Sequence, residues 1–365
     1  MNRVRRICSV AWRFVVCGLL LFWIFHSIFL HEAQSSSKRH GLDWSALTAA
    51  EKRQAAWNVG PSELWKTLTL VEPGWLGLSL LCVGATLAIG IFRWRKVLCV
   101  AGLTLPFART FEISLVAHFF NSFLLGSTGG DLFKAYYAAR ETHHQKTEAV
   151  VAVLADRLIG LFAMLLFATL MIIGHLGLMS RHRPLAGASL LIVGMLLVCG
   201  GLIALSFWGG VSSAWPRARA WLRSMPRGEV LERSLDSCRM FGREHRMLGG
   251  TLGLSMLLNV ACVFQFMALA RGLGLDLSPS ILFLVVPVVI CIAALPITPS
   301  GLGLRENLFV VLLAHPLIGV PATQALSLSL LGFAGSLAWS LVGGLIYLTF
   351  RERHHLAAAA HAEQT

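Results

Sequence analysis

Long apolar runs separated by short charged segments dominate the chain, and they predict membrane-spanning helices. Several runs approach or exceed the roughly 20 residues that cross a bilayer as an α-helix. The runs do not alternate polar and apolar residues with the period of two that a transmembrane β-barrel requires. We predict spans at Phe14 to Leu30, Gly74 to Phe92, Leu158 to Met179, Leu185 to Trp208, Leu248 to Ala270, Ile281 to Leu295 and Leu326 to Phe350.

Two further apolar segments are irregular, Leu98 to Leu125 and Leu304 to Ile318. They fit either short full spans or re-entrant segments, and the pattern alone leaves both interpretations open. Composition agrees with a membrane location, because 56% of the 365 residues are hydrophobic and only 13% are charged. We therefore expect an all-α, polytopic membrane helical bundle of about eight transmembrane helices, with broken or re-entrant segments.

The chain divides into three predicted parts. Residues 1–72 form an N-terminal transmembrane anchor and outer loop, residues 73–350 form the transmembrane domain, and residues 351–365 form a cytoplasmic tail. The start "MNRVRR" precedes an apolar run without a clear signal-peptidase site, so a retained helix is preferred to a cleaved signal peptide. In the outer loop, Trp44 and Trp57 stand at either end of a modest predicted helix, which suggests anchoring at the membrane interface.

The net charge of +13 is explained by topology rather than by nucleic-acid binding. Basic clusters at residues 3–6, 93–96 and 351–353, and eight arginines from Arg217 to Arg246, indicate cytoplasmic segments and two cytoplasmic termini. If all of these segments are cytoplasmic, residues 98–127 and residues 281–318 must each leave and return on the same side of the membrane. The loop at residues 209–247 spaces tryptophans among its arginines, as expected of a helix on an anionic inner leaflet.

Two segments interrupt the apolar pattern in the same way. "FFNSFLLGSTGGDLFKAYYAAR", from Phe119 to Arg140, breaks at three glycines and then opens a charged helix. "ALPITPSGLGLRENLF", from Ala294 to Phe309, breaks at prolines and glycines and then opens a helix with adjacent opposite charges. Paired interrupted segments in inverted topology are a sequence pointer to a transporter's binding site, so the two suggest an inverted repeat. Ordinary loops between short helices would give the same pattern.

A helix that begins inside a membrane protein offers unpaired N–H groups and a positive dipole end, which favour phosphate. Glycines before Asp131 and Arg305 would let the backbone approach such a ligand, and Arg305 could contact it bidentately. Asp131 could equally cap its own helix. Asp156 and Arg157 precede a predicted span, where a functional site and a headgroup-level anchor are equally compatible with the sequence.

The basic residues Lys134 and Arg140 and the lone His118 can be explained without a binding site. Lys134 and Arg140 flank two tyrosines and could contact inner-leaflet lipid, although positive-inside charge explains them more simply. His118 stands alone in an apolar run, as a packed histidine does. The eight cysteines form no C-x-x-C pair, and neither a metal site nor a cofactor is predicted. The chain contains no P-loop, G-x-S-x-G or H-E-x-x-H motif, so we do not predict an enzyme.

The two broken segments, together with "VLADRLIGL" between them, resemble the family named after the transmembrane region of lysylphosphatidylglycerol synthase, also called the flippase-like domain family. The resemblance covers roughly residues 75–350, and the Pro-x-x-Pro-x-Gly-x-Gly-x-Arg-Glu run from Pro296 to Glu306 is its most specific element. It implies a multipass plasma-membrane protein of about eight helices. In bifunctional relatives this domain is associated with moving aminoacylated phosphatidylglycerol between leaflets, while a separate soluble domain makes that lipid. Because the chain ends at Thr365, we expect no synthase part and carry over no lysyltransferase activity.

The predicted function is translocation of a phospholipid or of a polyprenyl- or hopanoid-type lipid in the plasma membrane, with the headgroup phosphate held at the two interrupted helices. The alternative is a membrane-embedded enzyme or accessory subunit of lipid or glycolipid synthesis. Expected partners are membrane lipids that are anionic or bear phosphate, and lipid-synthesis enzymes are possible partners too; nucleic acid is not expected. The predicted substrate-binding residues are Asn121, Gly129, Gly130, Asp131, Lys134, Asp156, Arg157, Pro296, Pro299, Gly301, Gly303, Arg305 and Glu306.

Overall fold

The computed structural model describes residues 47–123, 129–141, 146–179, 182–207, 241–242, 244–295 and 298–362, with the single residues 22, 25, 26, 29, 30, 33, 34, 37 and 44. These residues contain helices and no strand. The helices are α1 Ala49–Thr69, α2 Pro73–Val100, α3 Phe107–Phe123, α4 Gly129–Glu141, α5 Lys146–Ile173, α6 Leu176–Met179, α7 Arg183–Phe207, α8 His245–Gly272, α9 Pro279–Ala293, a 3-10 turn Pro299–Gly301, α10 Leu304–Leu313 and α11 Ala322–Ala362.

The all-helical membrane fold is confirmed. Within the described ranges, five helices are long and apolar enough to cross a membrane: α2, α7 and α8, most of α5, and α11 as far as Leu348. Helix α9 is apolar but has only 15 residues, about 22 Å of helix, which is short of the roughly 30 Å hydrocarbon core. The predicted span at Phe14 to Leu30 and most of the basic loop at residues 209–247 lie outside the described residues.

The prediction for the span near Leu158 was wrong at both ends. Helix α5 begins at Lys146 and its candidate span covers Thr147–Ile173, so Asp156 and Arg157 lie within the helix rather than in front of it. The span was predicted to start too late because a search for uninterrupted apolar residues begins only after the charges of Asp156 and Arg157. The structure shows that these charges have partners, described below.

The predicted outer helix is longer than expected. Helix α1 has 21 residues and begins with a capping box, in which the Thr48 hydroxyl accepts from the N–H of Glu51 and the Glu51 carboxylate accepts from the N–H of Thr48. Hydrogen bonds from the Thr48 side chain and backbone hold the pKa of Glu51 below its usual value. Trp57 lies in mid-helix rather than at its end, and its indole N–H points to His26 Nδ1 at 3.2 Å.

The chain forms two compact units. Unit 1 comprises residues 1–82, 170–190 and 262–335, and unit 2 comprises residues 83–169, 191–261 and 336–365. In unit 1, α9 is the central element, because nine of its side chains are buried. In unit 2, buried side chains of α2, α3 and α5 form the core, with Trp94, Ile113 and Leu165 among the largest. We name residues 107–141 the first broken segment, which lies in unit 2, and residues 279–313 the second broken segment, which lies in unit 1.

Candidate functional site

The first broken segment is a helical hairpin, formed by α3 and α4. The guanidinium of Arg109, near the start of α3, donates to the carboxylate of Glu141, the last residue of α4, at 3.0 and 2.7 Å. This ion pair holds the two open ends of the hairpin together, so the chain enters and leaves on one side. At 17 and 13 residues the helices extend about 25 and 20 Å, which fits a re-entrant hairpin better than two full spans.

Close approach of the two helices explains the glycine at the start of α4. The N–H of Gly130 donates to Asn121 Oδ1 at 2.8 Å, and a Cβ atom at Gly130 would overlap the carbonyl oxygen of Ala117. Further along, the rings of Phe120 and Phe133 stack with their centroids 4.6 Å apart. Residues 124–128, which contain the sequence break itself, lie outside the described residues.

A cavity of about 230 Å³ lies beside this hairpin within unit 2. Helices α2, α3, α4 and α8 line it, and part of its wall is apolar, including Leu115 and Leu258. Its polar lining consists of Thr86, Arg93, Ser114, His118, Asn121 and Lys134. Two of these side chains are cationic and none is acidic, so the cavity is electropositive.

Lys134 is the feature of the cavity that most requires explanation. Among the described residues, no hydrogen bond or ion pair engages its Nζ atom, which lies 5.0 Å from the ring centre of Trp94. The hydroxyl of Ser114, also on the cavity wall, is buried and has no hydrogen-bond partner in the described part of the chain. Buried polar groups are normally satisfied, so the Ser114 hydroxyl indicates a missing polar partner, and the partly buried Lys134 ammonium on the same wall can contact the same ligand.

Arg93 also lines the cavity and is held in place by Asp156. Its Nε and Nη2 atoms donate to the two carboxylate oxygens at 2.8 and 3.2 Å, and Nη1 donates to the Ser255 hydroxyl at 3.1 Å. Both charged side chains are largely buried, with 14% and 9% of their surfaces exposed. A Cβ atom at Gly160, one turn after Asp156, would lie only 2.7 Å from Arg93 Nη1. The glycine therefore makes room for the guanidinium.

The other two charges predicted here form a second ion pair. Arg157 of α5 donates to the carboxylate of Asp131 in the first turn of α4. Both side chains are partly exposed, at 38% and 24%. Asp131 lies near the positive end of the α4 dipole, so its charge also stabilises the helix start.

The second broken segment is shaped by backbone that only a few residues tolerate. Ser300, Gly301 and Gly303 have positive φ angles of 53°, 70° and 81°. A Cβ atom at Gly301 would lie 2.9 Å from the carbonyl oxygen of Ala293, the last residue of α9. The glycines therefore allow the chain to turn tightly between α9 and α10.

The charges of this segment satisfy each other. Glu306 is completely buried, and its carboxylate accepts from the N–H of Gly303 at 2.6 Å, from the guanidinium of Arg305 at 2.6 and 3.1 Å, and from the Ser329 hydroxyl at 3.2 Å. Arg305 also donates to Ser329 and lies 4.9 Å from the ring centre of Phe333. Glu306 thus closes the N-terminus of α10, the end that was predicted to receive a ligand.

The predicted site residues therefore separate into two groups. Unit 2 holds Asn121, Gly129, Gly130, Asp131, Lys134, Asp156 and Arg157, and unit 1 holds Pro299, Gly301, Gly303, Arg305 and Glu306, whereas Pro296 lies outside the described residues. Of these, only Asn121 and Lys134 line the cavity. The predicted binding of one phosphate by both segments stays a prediction.

The sequence did not predict four of the six polar residues that line the cavity: Thr86, Arg93, Ser114 and His118. Arg93 was assigned to a cytoplasmic basic cluster, yet it is buried within α2. The spacing of the two arginines indicated different environments, because Arg93 and Arg95 lie two residues apart and cannot share a helix face. Arg95 instead lies over the ring of Phe107. His118 was expected to be packed, and its Nε2 does lie 3.2 Å from the Ser336 carbonyl oxygen, but its side chain also lines the cavity. Nothing in the sequence marks Ser114.

Comparisons with known proteins identify membrane-protein relatives of this chain. The family model described as the lysylphosphatidylglycerol synthase TM region matches residues 44–344. A UPF0104 membrane protein of Methanothermobacter thermautotrophicus is 21% identical over 272 residues, 70% of this chain and 80% of the relative. UPF0104 membrane protein PH1989 of Pyrococcus horikoshii is 23% identical over 314 residues, 81% of this chain and 93% of the relative. The matched region contains both broken segments and the cavity, and the chain belongs to the family of the lysylphosphatidylglycerol synthase TM region.

Proposed function

We propose that this membrane protein is a lipid transporter that binds a phosphate-bearing headgroup in the cavity of unit 2 and moves the lipid between leaflets. The observation that carries the proposal is Lys134, whose ammonium lines the cavity without a hydrogen-bond partner among the described residues. Lys134 is partly withdrawn from water, so a negative charge and a hydrogen-bond acceptor would both stabilise its ammonium. A headgroup phosphate supplies both.

The surroundings of Lys134 favour a ligand that reaches the cavity from the bilayer. The cavity is walled by helices that include two candidate membrane spans, α2 and α8. Irregular backbone and buried charge are tolerated at membrane depth where they line a polar cavity. A phospholipid or a polyprenyl-type lipid could place its phosphate beside Lys134 while its chains stay in hydrocarbon. We place the protein in the plasma membrane with both termini cytoplasmic.

The alternative, a membrane-embedded enzyme of lipid or glycolipid synthesis, would need a carboxylate as general base. The three candidates, Asp131, Asp156 and Glu306, each accept hydrogen bonds from an arginine. A carboxylate held by a guanidinium is a poor proton acceptor. This arrangement favours transport over the enzymatic alternative. Lipid analysis of a deletion strain separates the two: an enzyme predicts loss of a lipid species, and a transporter predicts unchanged lipids with altered leaflet exposure.

A leaflet-accessibility assay tests the proposal directly. The full chain is reconstituted into vesicles containing a phospholipid with a fluorescent label on its headgroup or chain, and a membrane-impermeant quencher is added outside. Transport predicts that the protected inner-leaflet fraction falls with time in vesicles that contain wild-type protein. Lys134→Gln should slow that fall on the order of tenfold, the effect of removing one charged contact.

Lys66→Gln is the matched control, because Lys66 is an exposed lysine whose ammonium pairs with Glu63 in its own helix. It should transport like wild type. Equal accessibility with and without wild-type protein, for labelled phospholipids of each headgroup charge and for a polyprenyl phosphate, would refute the proposal.

A further inference from the structure

We propose that this cavity selects headgroups with a single negative charge, and that Asp156 sets this preference without touching the lipid. The proposal rests on the proposed function and names the class of lipid that the same site would take: a monoanionic phosphodiester, rather than a dianionic phosphomonoester or a zwitterion.

The charges around the cavity add up to a single positive charge. Arg93 and Lys134 are cationic and line the wall, and Asp156 neutralises Arg93 through its paired hydrogen bonds. Asp131 and Arg157 form a neighbouring pair that sums to zero. His118 Nε2 lies 3.2 Å from the Ser336 carbonyl oxygen, and we count His118 as uncharged because an imidazole of ordinary pKa, about 6.5, is neutral at pH 8. Helix α8 contributes only uncharged groups to the wall and to Arg93, Leu258 and Ser255.

Charge balance in a largely buried site then distinguishes the headgroups. One negative charge on the ligand brings the cluster to neutrality, which is the least costly state away from water. A phosphomonoester with two charges would leave the site at −1. A zwitterion would leave it at +1 and would bring its ammonium close to two cations.

The hydrogen-bonding geometry agrees with a single phosphate contact. Each nitrogen atom of the Arg93 guanidinium makes one hydrogen bond, two to Asp156 and one to Ser255, so among the described contacts one N–H on each of Nη1 and Nη2 remains open to a ligand. Lys134 also supplies open donors, and the unpartnered Ser114 hydroxyl can complete the contact. The volume of about 230 Å³ is below the roughly 300–1,000 Å³ of small-molecule pockets, so it suits a phosphate with a small alcohol rather than a glycan.

Asp156 is therefore a positioning residue that acts through Arg93. It holds the guanidinium in place and removes one positive charge from the site. Because its role is electrostatic, replacing it should change which lipid binds best. A purely structural role would weaken the binding of every lipid alike.

The test measures which lipid the full-length, detergent-solubilised protein retains, by native mass spectrometry at pH 8. The probes are phosphatidylglycerol with one negative charge, phosphatidylethanolamine with none, and phosphatidic acid, whose phosphomonoester can carry two. Wild type should retain phosphatidylglycerol at least about fivefold better than either of the others, a difference that corresponds to one modest electrostatic contact.

The variants should reorder the lipids according to site charge. Asp156→Asn raises the charge to +2 and should move the preference to phosphatidic acid. Lys134→Gln lowers it to zero and should abolish the preference for phosphatidylglycerol over phosphatidylethanolamine, whereas Lys134→Arg should keep the wild-type order. Lys134→Gln removes no described hydrogen bond or ion pair, so it remains informative if Asp156→Asn does not fold.

Each outcome decides a different point. Binding of all three lipids in an order that no variant changes would overturn the charge selection and leave lipid binding intact. Retention of no lipid by wild type would overturn the proposed function itself. Displacement of phosphatidylglycerol by inorganic phosphate at an equal concentration would show a site for the free ion and would also overturn the lipid assignment.

Discussion

The two broken segments have opposite chemistry despite their common sequence design. In the first, Lys134 faces a cavity and lacks a hydrogen-bond partner among the described residues. In the second, Arg305 is held by Glu306 and Ser329, and Glu306 is completely buried. A glycine-rich break followed by a charged helix start therefore does not by itself indicate a ligand site. The difference depends on whether the charges of the segment have partners within the protein.

The largest expected effect concerns the closed network of the second segment. Glu306→Ala would leave Arg305 without its carboxylate and the N–H of Gly303 without its acceptor, so we expect a loss of about 3–5 kcal/mol. Asp131→Ala breaks a partly exposed pair in the first segment and should cost no more than about 1 kcal/mol. Thermal unfolding followed by size-exclusion chromatography compares the two. Equal losses would contradict the distinction between a structural segment and a ligand-facing one.

The backbone of the second segment gives the next largest effect. Gly301→Ala places a Cβ atom at positive φ and against the Ala293 carbonyl oxygen, so it should cost more than the roughly 1–2 kcal/mol of the conformation alone. Gly102→Ala is the control, because Gly102 has a similar φ of 73° but open space around its Cβ position. The same thermal assay should therefore show a larger loss for Gly301. If the two variants lose equal stability, the turn is not held against α9.

The fold was more predictable than the site, for a physical reason. Apolar length alone identifies a membrane span, so the ends of the spans in α2, α7, α8 and α11 were predicted to within four residues, except that α2 continues eight residues past Phe92 to Val100. The partners of a charge depend on tertiary packing. Arg93 and Asp156 are 63 residues apart in sequence, and no local pattern pairs them.

The predicted ligand contact of Arg305 shows the same limit. The Pro and Gly pattern correctly located a break before α10, because those residues restrict the backbone directly. It could not show that the neighbouring Glu306 folds back onto Gly303 and binds Arg305. Two adjacent opposite charges fit an open site and a closed network equally well in sequence.

A smaller effect should distinguish the cavity from its surroundings. Gly160→Ala would push the Arg93 guanidinium away from Asp156, and we expect transport to slow on the order of tenfold with a smaller loss of stability than Glu306→Ala, because both charges remain and can still pair. Gly194→Ala, in α7 with nothing near its Cβ position, should transport like wild type and be slightly more stable, by up to about 1 kcal/mol. The leaflet-accessibility assay and thermal unfolding measure both variants. Similar transport rates would show that the position of Arg93 is unimportant.

The smallest effect is expected for a variant in α1, outside both broken segments, which serves as a comparison for the variants within them. Thr48→Ala removes the cap of α1 and should cost about 1 kcal/mol at pH 7, without changing transport or lipid preference. Because the folded-state pKa of Glu51 is lowered, its contribution is present above the usual Glu pKa of 4.5 and is lost as the pH falls below that value. The stability difference between wild type and Thr48→Ala should therefore shrink below about pH 4.5. A difference that stays constant down to pH 3 would contradict the capping interaction.

One binding measurement tests the central claim, that the first broken segment binds the headgroup and the second does not. Phosphatidylglycerol retention is compared for Lys134→Gln and for the double variant Arg305→Gln with Glu306→Gln, which removes both charges of the closed network while keeping similar side-chain shapes. The account predicts that Lys134→Gln loses most of the bound lipid and that the folded double variant retains it at the wild-type level. Retention by Lys134→Gln together with loss by the folded double variant would contradict it.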